Sequence, residues 1–596
     1  METAATIIAP EGIYSLTDEL KPVVISLASS SQTLYPTRVS TVTINFPSKP
    51  GAQGLSGLLG GRGQPQSQHD KGPSGKDKDK ETASGSSSDN INNQDDRDAG
   101  GSNDSSGAVN ASSTTANIHH HPLFAQPQPT QNGKRKAHAR PKHNMKTTSS
   151  AFITRHQATE GLNRILQQKQ GDATFVIFNS AKSIFWSEAG IRAKDPLARV
   201  TFSAYPTCHD INMETVGPDR LDVIIGFNTG DLIWFDAISS RYMRLNKQGG
   251  QTGITSSACT AVRWVPRSPS LFLVSHADGT MMLYDKERDD PDKTQPFIPT
   301  DPDAVPLVQQ PAHEDGQDEP SAAWEPTEDI LVSRPPWHPS LLASVADPRK
   351  IVLRNPLSHW KVSRRAVHGF VFSPDLQYIA VVSEDGCLRI IDALHEKLLN
   401  TYASYFGALT CVDWSPDGRF VLTGGQDDLV TVISPWEQRT IARCQGHSSF
   451  ISAVKFDTLR CDARTYRFGS VAEDSKLILW DFSSGALHRP KLSTAHHNSM
   501  NMAAGRMSSL SLVRRHHPDP SMLALPANGD GKRFHAAPPR SEVASVQPAV
   551  IKVIEGDMLT AIDFLPTSVM TANKAGLVKV WVRPLAISKS STGRPR

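Results

Sequence analysis

The sequence predicts an all-β fold, a seven-bladed β-propeller interrupted by long disordered insertions. Segments with a common pattern recur about every 40–50 residues, which is the sequence signature of a propeller. Each copy consists of a strand, a turn rich in Pro, Asp and Gly, an apolar strand, a second polar turn and an alternating strand. Pro374 and Pro416 occupy the same turn of consecutive copies and lie 42 residues apart, the length of one blade.

The repeat occurs seven times. The copies are residues 172–186, 221–236, 262–285, 371–392, 412–434, 454–481 and 561–581. Seven four-stranded blades in a closed ring expose only short, protected strand edges.

One copy carries the polar signature of a WD repeat. It has a Gly-His pair ending at His447, then Ser470, Asp474 and a Trp-Asp pair beginning at Trp480. This spacing favours a buried relay in which the indole N–H donates to the hydroxyl, the hydroxyl to the imidazole, and the imidazole to the carboxylate. Ser, His and Asp also make up a catalytic triad, but a nucleophilic Ser must be exposed beside an oxyanion hole. Because Ser470 lies within a predicted strand, we interpret the four residues as a structural relay.

Other copies have lost parts of this signature. Asp427 has its Thr423, but Ile433 stands where Trp is expected, and Tyr284 and Ile391 occupy that place in two further copies. The copy with the complete signature is therefore expected to be the stiffest blade.

Arg38–Phe46 alternates as a strand does, so the tract that follows it is interpreted as an insertion within blade 1 and not as a linker between domains. The predicted organisation is a closing strand and the first strand of blade 1 in residues 1–46, a low-complexity insertion within blade 1 at 47–171, blades 1–3 at 172–286, an acidic insertion at 287–343, blades 4–6 at 344–482, a third insertion at 483–548, blade 7 at 549–584 and a tail at 585–596.

The three insertions have compositions typical of disorder. The first is rich in Gly, Ser, Asn and Asp, and the third in Ser, His, Pro and Ala. The second, from Glu287 to Asp329, has thirteen acidic residues against two basic ones. None can bury enough apolar surface to fold alone, so we expect loops that leave and rejoin the ring. Self-repulsion that extends the acidic loop is the preferred interpretation; binding of a basic partner is the alternative.

Composition favours a soluble intracellular protein. The net charge of +3 gives no support for a nucleic-acid or membrane partner. The six cysteines show no paired spacing, which suits a reducing compartment, and neither a signal sequence nor a long apolar run is evident. We expect a cytoplasmic protein. The basic run Lys134–Lys146 is either a nuclear-import signal or a solubilising linker.

No motif predicts an enzyme, a metal site or a cofactor. Gly72–Lys76 resembles part of a phosphate-binding loop but lacks a flanking strand and helix. His119–His121 and His496-His497 lie in low-complexity sequence, where chance clusters are common.

Two loops that precede predicted innermost strands carry aromatic residues. Tyr405 and Phe406 precede the strand that ends at Trp414, and Phe450 precedes the strand that ends at Phe456. In a WD propeller these loops open onto the face where partners commonly dock. Each aromatic side chain is either a packing cap or an exposed anchor, and anchors of this type are frequent interface hot spots.

Many segments resemble one WD-repeat family, which comprises the fungal catabolite-repression protein CreC and its animal relatives, the WD-repeat activators of ubiquitin-specific proteases. The resemblance rests on EGIY at 11–14, PTCHDIN at 206–212, the copy at 260–285, NPLSHW at 355–360, residues 370–390, SYFGALTCVDWSPDG and its continuation at 404–432, IARCQGHSSF at 441–450 and TYRFGSVAEDSKLILWD at 465–481. The long insertions are more similar to those of the filamentous-fungal members.

The resemblance implies a non-catalytic partner that stabilises or activates a CreB-type ubiquitin-specific protease and so affects carbon catabolite repression. It also implies that Phe406 and Phe450, with Tyr405 beside them, contact the protease. Phe450 stands where the relatives have Trp, so the aromatic body is kept without the indole N–H. The alternative is a substrate receptor of a ubiquitin ligase.

Overall fold

Seven β-sheets form the blades of a ring. A computed structural model of the chain describes residues 4–22, 35–47, 139–146, 150–190, 195–247, 254–291, 298–299, 324–342, 347, 350–483 and 533–584. The predicted seven-bladed propeller is confirmed. The predictions made for residues 72–76, 119–121, 134–136 and 496–497 lie outside this part of the chain.

The strands of each blade are given from the central channel outwards. Blade 1 contains Val39–Phe46, Gly171–Ser180, Ser183–Glu188, Ala198–Phe202 and Ile153–Ala158. Blade 2 contains Pro206–Ile211, Asp222–Phe227, Leu232–Asp236, Arg241–Leu245 and His143–Asn144. Blade 3 contains Cys259–Trp264, Leu271–His276, Thr280–Asp285, Ser358–Lys361, Leu331–Arg334 and Ile298–Pro299. Blade 4 contains Val367–Phe372, Tyr378–Ser383, Cys387–Asp392, Lys397–Ala403 and Phe534–His535.

The remaining blades complete the ring. Blade 5 contains Leu409–Trp414, Val421–Gly425, Leu429–Ser434, Arg439–Gln445 and Ala544–Val546. Blade 6 contains Ile451–Phe456, Thr465–Ala472, Lys476–Ser483 and Pro548–Val553. Blade 7 contains Leu559–Phe564, Ser568–Asn573, Val578–Val582, Gly12–Leu20 and Thr6–Ala9. Short helices occur at Leu162–Gln168 and Pro339–Leu342, and a 3₁₀ turn at Thr458–Arg460.

The ring closes by joining the two ends of the chain in one sheet. Gly12–Leu20 pairs antiparallel with Val578–Val582 as the fourth strand of blade 7. Its buried side chains, among them Tyr14 and Leu20, join cores shared with blades 6 and 1. The N-terminal strand Gly12–Leu20 therefore closes the ring of the propeller.

Polar side chains at the channel join neighbouring blades. In six of the seven junctions within the described residues, a hydroxyl or ring N–H near the start of an innermost strand donates to a carbonyl at the start of the next blade. The pairs are Ser40–His209, Thr207–Cys259, His368–Leu409, Thr410–Ile451, Ser452–Leu559 and Thr560–Thr37. At the remaining junction Thr260 bonds instead to Ser275 within its own blade. Most of these residues sit at a β-bulge, which turns the extra side chain toward the neighbouring blade.

The channel is a cavity of about 750 Å³ lined by the innermost strands of all seven blades. Its charges are largely paired across blades. Lys455 lies 3.0 Å from Asp413, and Arg263 lies 3.5 Å from Asp210.

Two predicted blade boundaries are wrong. Ser358–Lys361 is the fourth strand of blade 3, not part of blades 4–6, and Pro548–Val553 is the fourth strand of blade 6, not of blade 7. The second and third insertions therefore separate the third and fourth strands of one blade. The fourth strands carry little repeat signal, because the recognisable copies end with the third strand.

Disorder is also a wrong prediction for parts of the insertions. His143–Asn144 and Ile153–Ala158 extend the outer edges of blades 2 and 1, and Met145 and Phe152 are buried. Leu331–Arg334 likewise extends blade 3. Segments that cannot fold alone become ordered here because an open sheet edge supplies hydrogen-bond partners and a core to cover.

A buried carboxylate fixes the described part of the acidic insertion to blades 3 and 4. Glu396 is buried, and its carboxylate accepts hydrogen bonds from Arg334 Nε at 2.6 Å and Trp360 Nε1 at 2.9 Å. Burial by itself would raise the pKa of Glu396, but the interactions with His338 and Ser358 outweigh it and lower the pKa to about 2.

We expect Glu396→Gln to reduce the free energy of unfolding by about 2–3 kcal/mol at pH 7, because the charged form is the stabilised one. A folded-state pKa below the unfolded value stabilises the fold above about pH 4.5, and this contribution is lost as the pH falls toward about 2. Urea unfolding of both proteins from pH 7 to pH 3 should therefore show a difference that shrinks with acidification. Glu437→Gln, at an exposed site, is the matched control. A difference in unfolding free energy that does not change with pH would contradict the interpretation of Glu396 as a stabilised, charged carboxylate.

Candidate functional site

The structure joins the four predicted relay residues of blade 6 in one hydrogen-bonded chain. Trp480 Nε1 donates to Ser470 Oγ at 2.8 Å, and Ser470 Oγ lies 2.7 Å from His447 Nε2. His447 Nδ1 lies 3.2 Å from the nearer carboxylate oxygen of Asp474. This order fixes the imidazole as a donor at Nδ1 and an acceptor at Nε2.

The burial of these residues indicates that the relay has a structural and not a catalytic role. Ser470 and Trp480 are fully buried, and Ser470 lies inside the strand Thr465–Ala472. Burial lowers the pKa of His447, while the Asp474 charge acts in the opposite direction. A buried hydroxyl held between an indole and an imidazole has no access to a substrate.

Blade 7 contains a shortened form of the relay that the sequence analysis missed. Trp581 Nε1 donates to Thr571 Oγ1 at 3.2 Å. The hydroxyl precedes the Trp by ten residues, as Ser470 precedes Trp480. This ten-residue spacing is visible in the sequence and identifies the Thr571–Trp581 pair.

We call the face on which the chain enters the innermost strands the top face. The blade 5 loop on this face exposes the side chain of Phe406 to solvent. The Ser404 hydroxyl donates to the Gly407 carbonyl at 2.8 Å, and the Ala408 amide donates to Gln426 Oε1 at 3.0 Å. Gly407 has a φ of 62°, and a Cβ there would lie 2.7 Å from Gln426 Oε1, so glycine is required. The Phe406 side chain is 71% exposed.

The equivalent loop of blade 6 is anchored by the relay. Asp474 accepts from the amide of Ser448 at 2.9 Å in addition to holding His447. The Phe450 carbonyl accepts from the amide of Glu473 at 3.0 Å. Phe450 is 43% exposed. The relay and the loop that presents Phe450 thus form one rigid unit.

The two aromatic residues lie on the same face of adjacent blades. The Thr410 hydroxyl, near the start of the innermost strand of blade 5, donates to the carbonyl of Ile451, which follows Phe450. Tyr405 differs from both, because its ring is partly buried beside Phe406. Two exposed aromatic side chains on fixed backbones are a surface that can bind an apolar partner without a large ordering cost.

The described residues contain no group of three or more His, Cys, Asp or Glu side chains that could hold a metal ion. No helix among them has the length and apolar character that a membrane span requires.

The ring of seven β-sheets, one of which holds a complete Trp-Ser-His-Asp relay, defines a WD-repeat propeller. Residues 354–392 and 396–434 match the WD domain, G-beta repeat family. Each match begins near the fourth strand of one blade and ends with the third strand of the next, so repeats and blades are offset by one strand.

A curated relative places the chain more closely. The chain is 36% identical over 445 residues to the UBP9-binding protein bun62 of Schizosaccharomyces pombe (strain 972 / ATCC 24843), and the alignment covers 73% of this chain and 75% of that protein. The chain belongs to the WD-repeat family that includes bun62. A chain in the crystal structure of the mitotic checkpoint complex has a TM-score of 0.41 and 11% identity, with 77% of this chain and 98% of that chain covered. That likeness is too distant for a functional comparison.

Proposed function

We propose that the protein is a non-catalytic scaffold that docks on a ubiquitin-specific protease through Phe406 and Phe450 and stabilises or activates it. The observation that carries this proposal is the pair of exposed, backbone-anchored aromatic residues on adjacent blades. The relative bun62 is named for binding UBP9, which supports a protease as the partner class.

The finer part of the proposal is a CreB-type protease and a role in carbon catabolite repression. This part rests on the sequence resemblance to CreC. We also propose a cytoplasmic location. Within the basic run, Arg140 lies 2.7 Å from Asp219, and Met145 is buried. These contacts weigh against the run as a free import signal.

Activation by such a scaffold requires a difference in affinity. A rigid ring that binds the active conformation of the protease more tightly shifts the conformational equilibrium toward that form. The shift in free energy cannot exceed the difference in binding free energy between the two conformations. Binding both conformations equally would protect the protease from unfolding without raising its turnover.

Cleavage of a ubiquitin substrate by the purified CreB-type protease, with and without this protein, tests the proposal. Activation raises kcat or kcat/KM, whereas protection lengthens only the lifetime of the enzyme. Either result, together with direct binding, supports a protease scaffold. Absence of binding would contradict it and favour the ligase-receptor alternative.

A further inference from the structure

The outer edge of blade 6 differs from the edges of the other blades in the described part of the chain. Blades 2, 3, 4, 5 and 7 end in strands of only two to four residues. Blade 1 ends in a longer strand, which exposes polar side chains such as Arg155 and Gln157. Blade 6 ends in Pro548–Val553, here called the edge strand, which has six residues and is apolar except at Lys552. Short strands and exposed charges protect sheet edges from pairing with other chains, and the edge strand has neither protection because Lys552 is buried.

The free side of the edge strand presents main-chain groups that an added strand can use. The edge strand pairs antiparallel with Lys476–Ser483 and is the last strand of its sheet among the described residues. The Ile554 amide, just beyond it, donates to the Ser475 carbonyl at 2.9 Å. Because main-chain groups alternate sides along an antiparallel strand, the amides and carbonyls of Ile551 and Val553 point away from Lys476–Ser483.

The side chains of the same two residues form an exposed apolar strip. Ile551 is 49% and Val553 59% exposed, whereas Val550 and Ile554 are buried in the core shared by blades 6 and 7. Successive side chains of a strand point to opposite faces, so Ile551 and Val553 lie on one face of the sheet. A strand paired with this edge would place its own side chains beside both of them.

The top end of the edge strand is joined to the loop that presents Phe450. The turn at 473–475 holds both, because the Glu473 amide donates to the Phe450 carbonyl at 3.0 Å and the Ser475 carbonyl accepts from Ile554. Phe450 precedes the innermost strand of blade 6 and Val553 ends the fourth, so three strand spacings, about 14 Å, separate them. One partner can therefore cover Phe450 and also reach the edge strand.

We propose that the edge strand of blade 6 binds an extended, apolar segment of the docked protease by strand addition. The inference rests on the proposed function and deepens it. Main-chain hydrogen bonds to Ile551 and Val553 hold the added segment, and its alternate apolar side chains cover the exposed strip. The contact with Phe450 fixes one end of the interface, and the added strand fixes the orientation of the protease around the rim of the propeller.

Hydrogen–deuterium exchange of the full chain, alone and with the CreB-type protease, tests this directly. In the free chain the amides of Ile551 and Val553 should exchange fast, while that of Ile554 is protected by its bond to Ser475. In the complex the exchange of Ile551 and Val553 should slow by roughly tenfold or more. Slow exchange in the free chain would mean that the chain itself or a second copy already covers the edge, and the inference would be wrong.

A substitution on the edge strand measures its contribution to affinity. Ile551→Lys should bind the protease roughly tenfold more weakly, because the lysine breaks the apolar strip and must be desolvated under an added strand. Ile551→Val keeps the branched apolar shape and should bind as wild type does. Ile8→Lys is the matched control: Ile8 is equally exposed, at 49%, on the outermost strand of blade 7. An equal loss of affinity in both lysine variants would point to a general effect of charge and contradict the inference.

The outcomes separate this inference from the proposed function. If wild type binds and Phe406→Ala weakens binding, but Ile551→Lys binds normally and the exchange of Ile551 and Val553 is unchanged, the edge is not used and the docking face stands. If wild type does not bind at all, both proposals fail. Unchanged melting of each variant shows that a loss of affinity reflects the edge strand and not the fold.

Discussion

The double variant Phe406→Ala/Phe450→Ala is expected to lose the stimulation or protection of the protease almost completely. Truncating a central aromatic anchor commonly costs about 2–4 kcal/mol of binding free energy, so two together should weaken the complex at least about a hundredfold. Both side chains are exposed, at 71% and 43%, so their removal should leave the fold intact. Binding and substrate cleavage, measured with the same protease preparation, check the result.

Leu459→Ala is the matched control for this prediction. Leu459 is 60% exposed and follows the innermost strand of blade 6 on the face opposite Phe450. The control should bind and stimulate as wild type does. A double aromatic variant that melts normally and still binds with wild-type affinity would remove these residues from the docking surface.

Trp480→Ala is expected to lower the free energy of unfolding by about 3–5 kcal/mol. The indole is fully buried, stacks on Phe468 with ring centroids 6.3 Å apart, and donates to Ser470 at 2.8 Å. Alanine leaves a cavity in the core shared by blades 5 and 6 and also leaves the hydroxyl without its donor. Denaturant unfolding of wild type and variant measures the difference.

Two comparisons isolate the cause. Trp480→Phe keeps most of the volume but loses the N–H, so it should cost about 1–2 kcal/mol. Trp436→Ala, at a partly exposed site on the turn before the fourth strand of blade 5, should have a small effect. A loss below about 1 kcal/mol for Trp480→Ala would argue against the buried relay.

The relay also links the stability of blade 6 to the position of Phe450. Asp474 holds both His447 and the amide of Ser448, two residues from Phe450. A variant that disturbs the relay should therefore weaken protease binding without touching the binding surface.

Much of the propeller could be predicted because its signals are local. Apolar alternation and turn residues repeat in each copy, and hydroxyl and indole lie ten residues apart in blade 6. The fourth strands and the added edge strands carry no such signal. Phe534–His535 and Ala544–Val546 are two and three residues long, and they pair through main-chain hydrogen bonds that any sequence can form.

The sequence by itself determined the number of blades, the N-terminal strand and the identity of the relay residues, because each depends on periodicity or spacing along the chain. The tertiary structure decided which aromatic residues are exposed. Exposure depends on how loops from different blades meet, and no local pattern of residues encodes that arrangement.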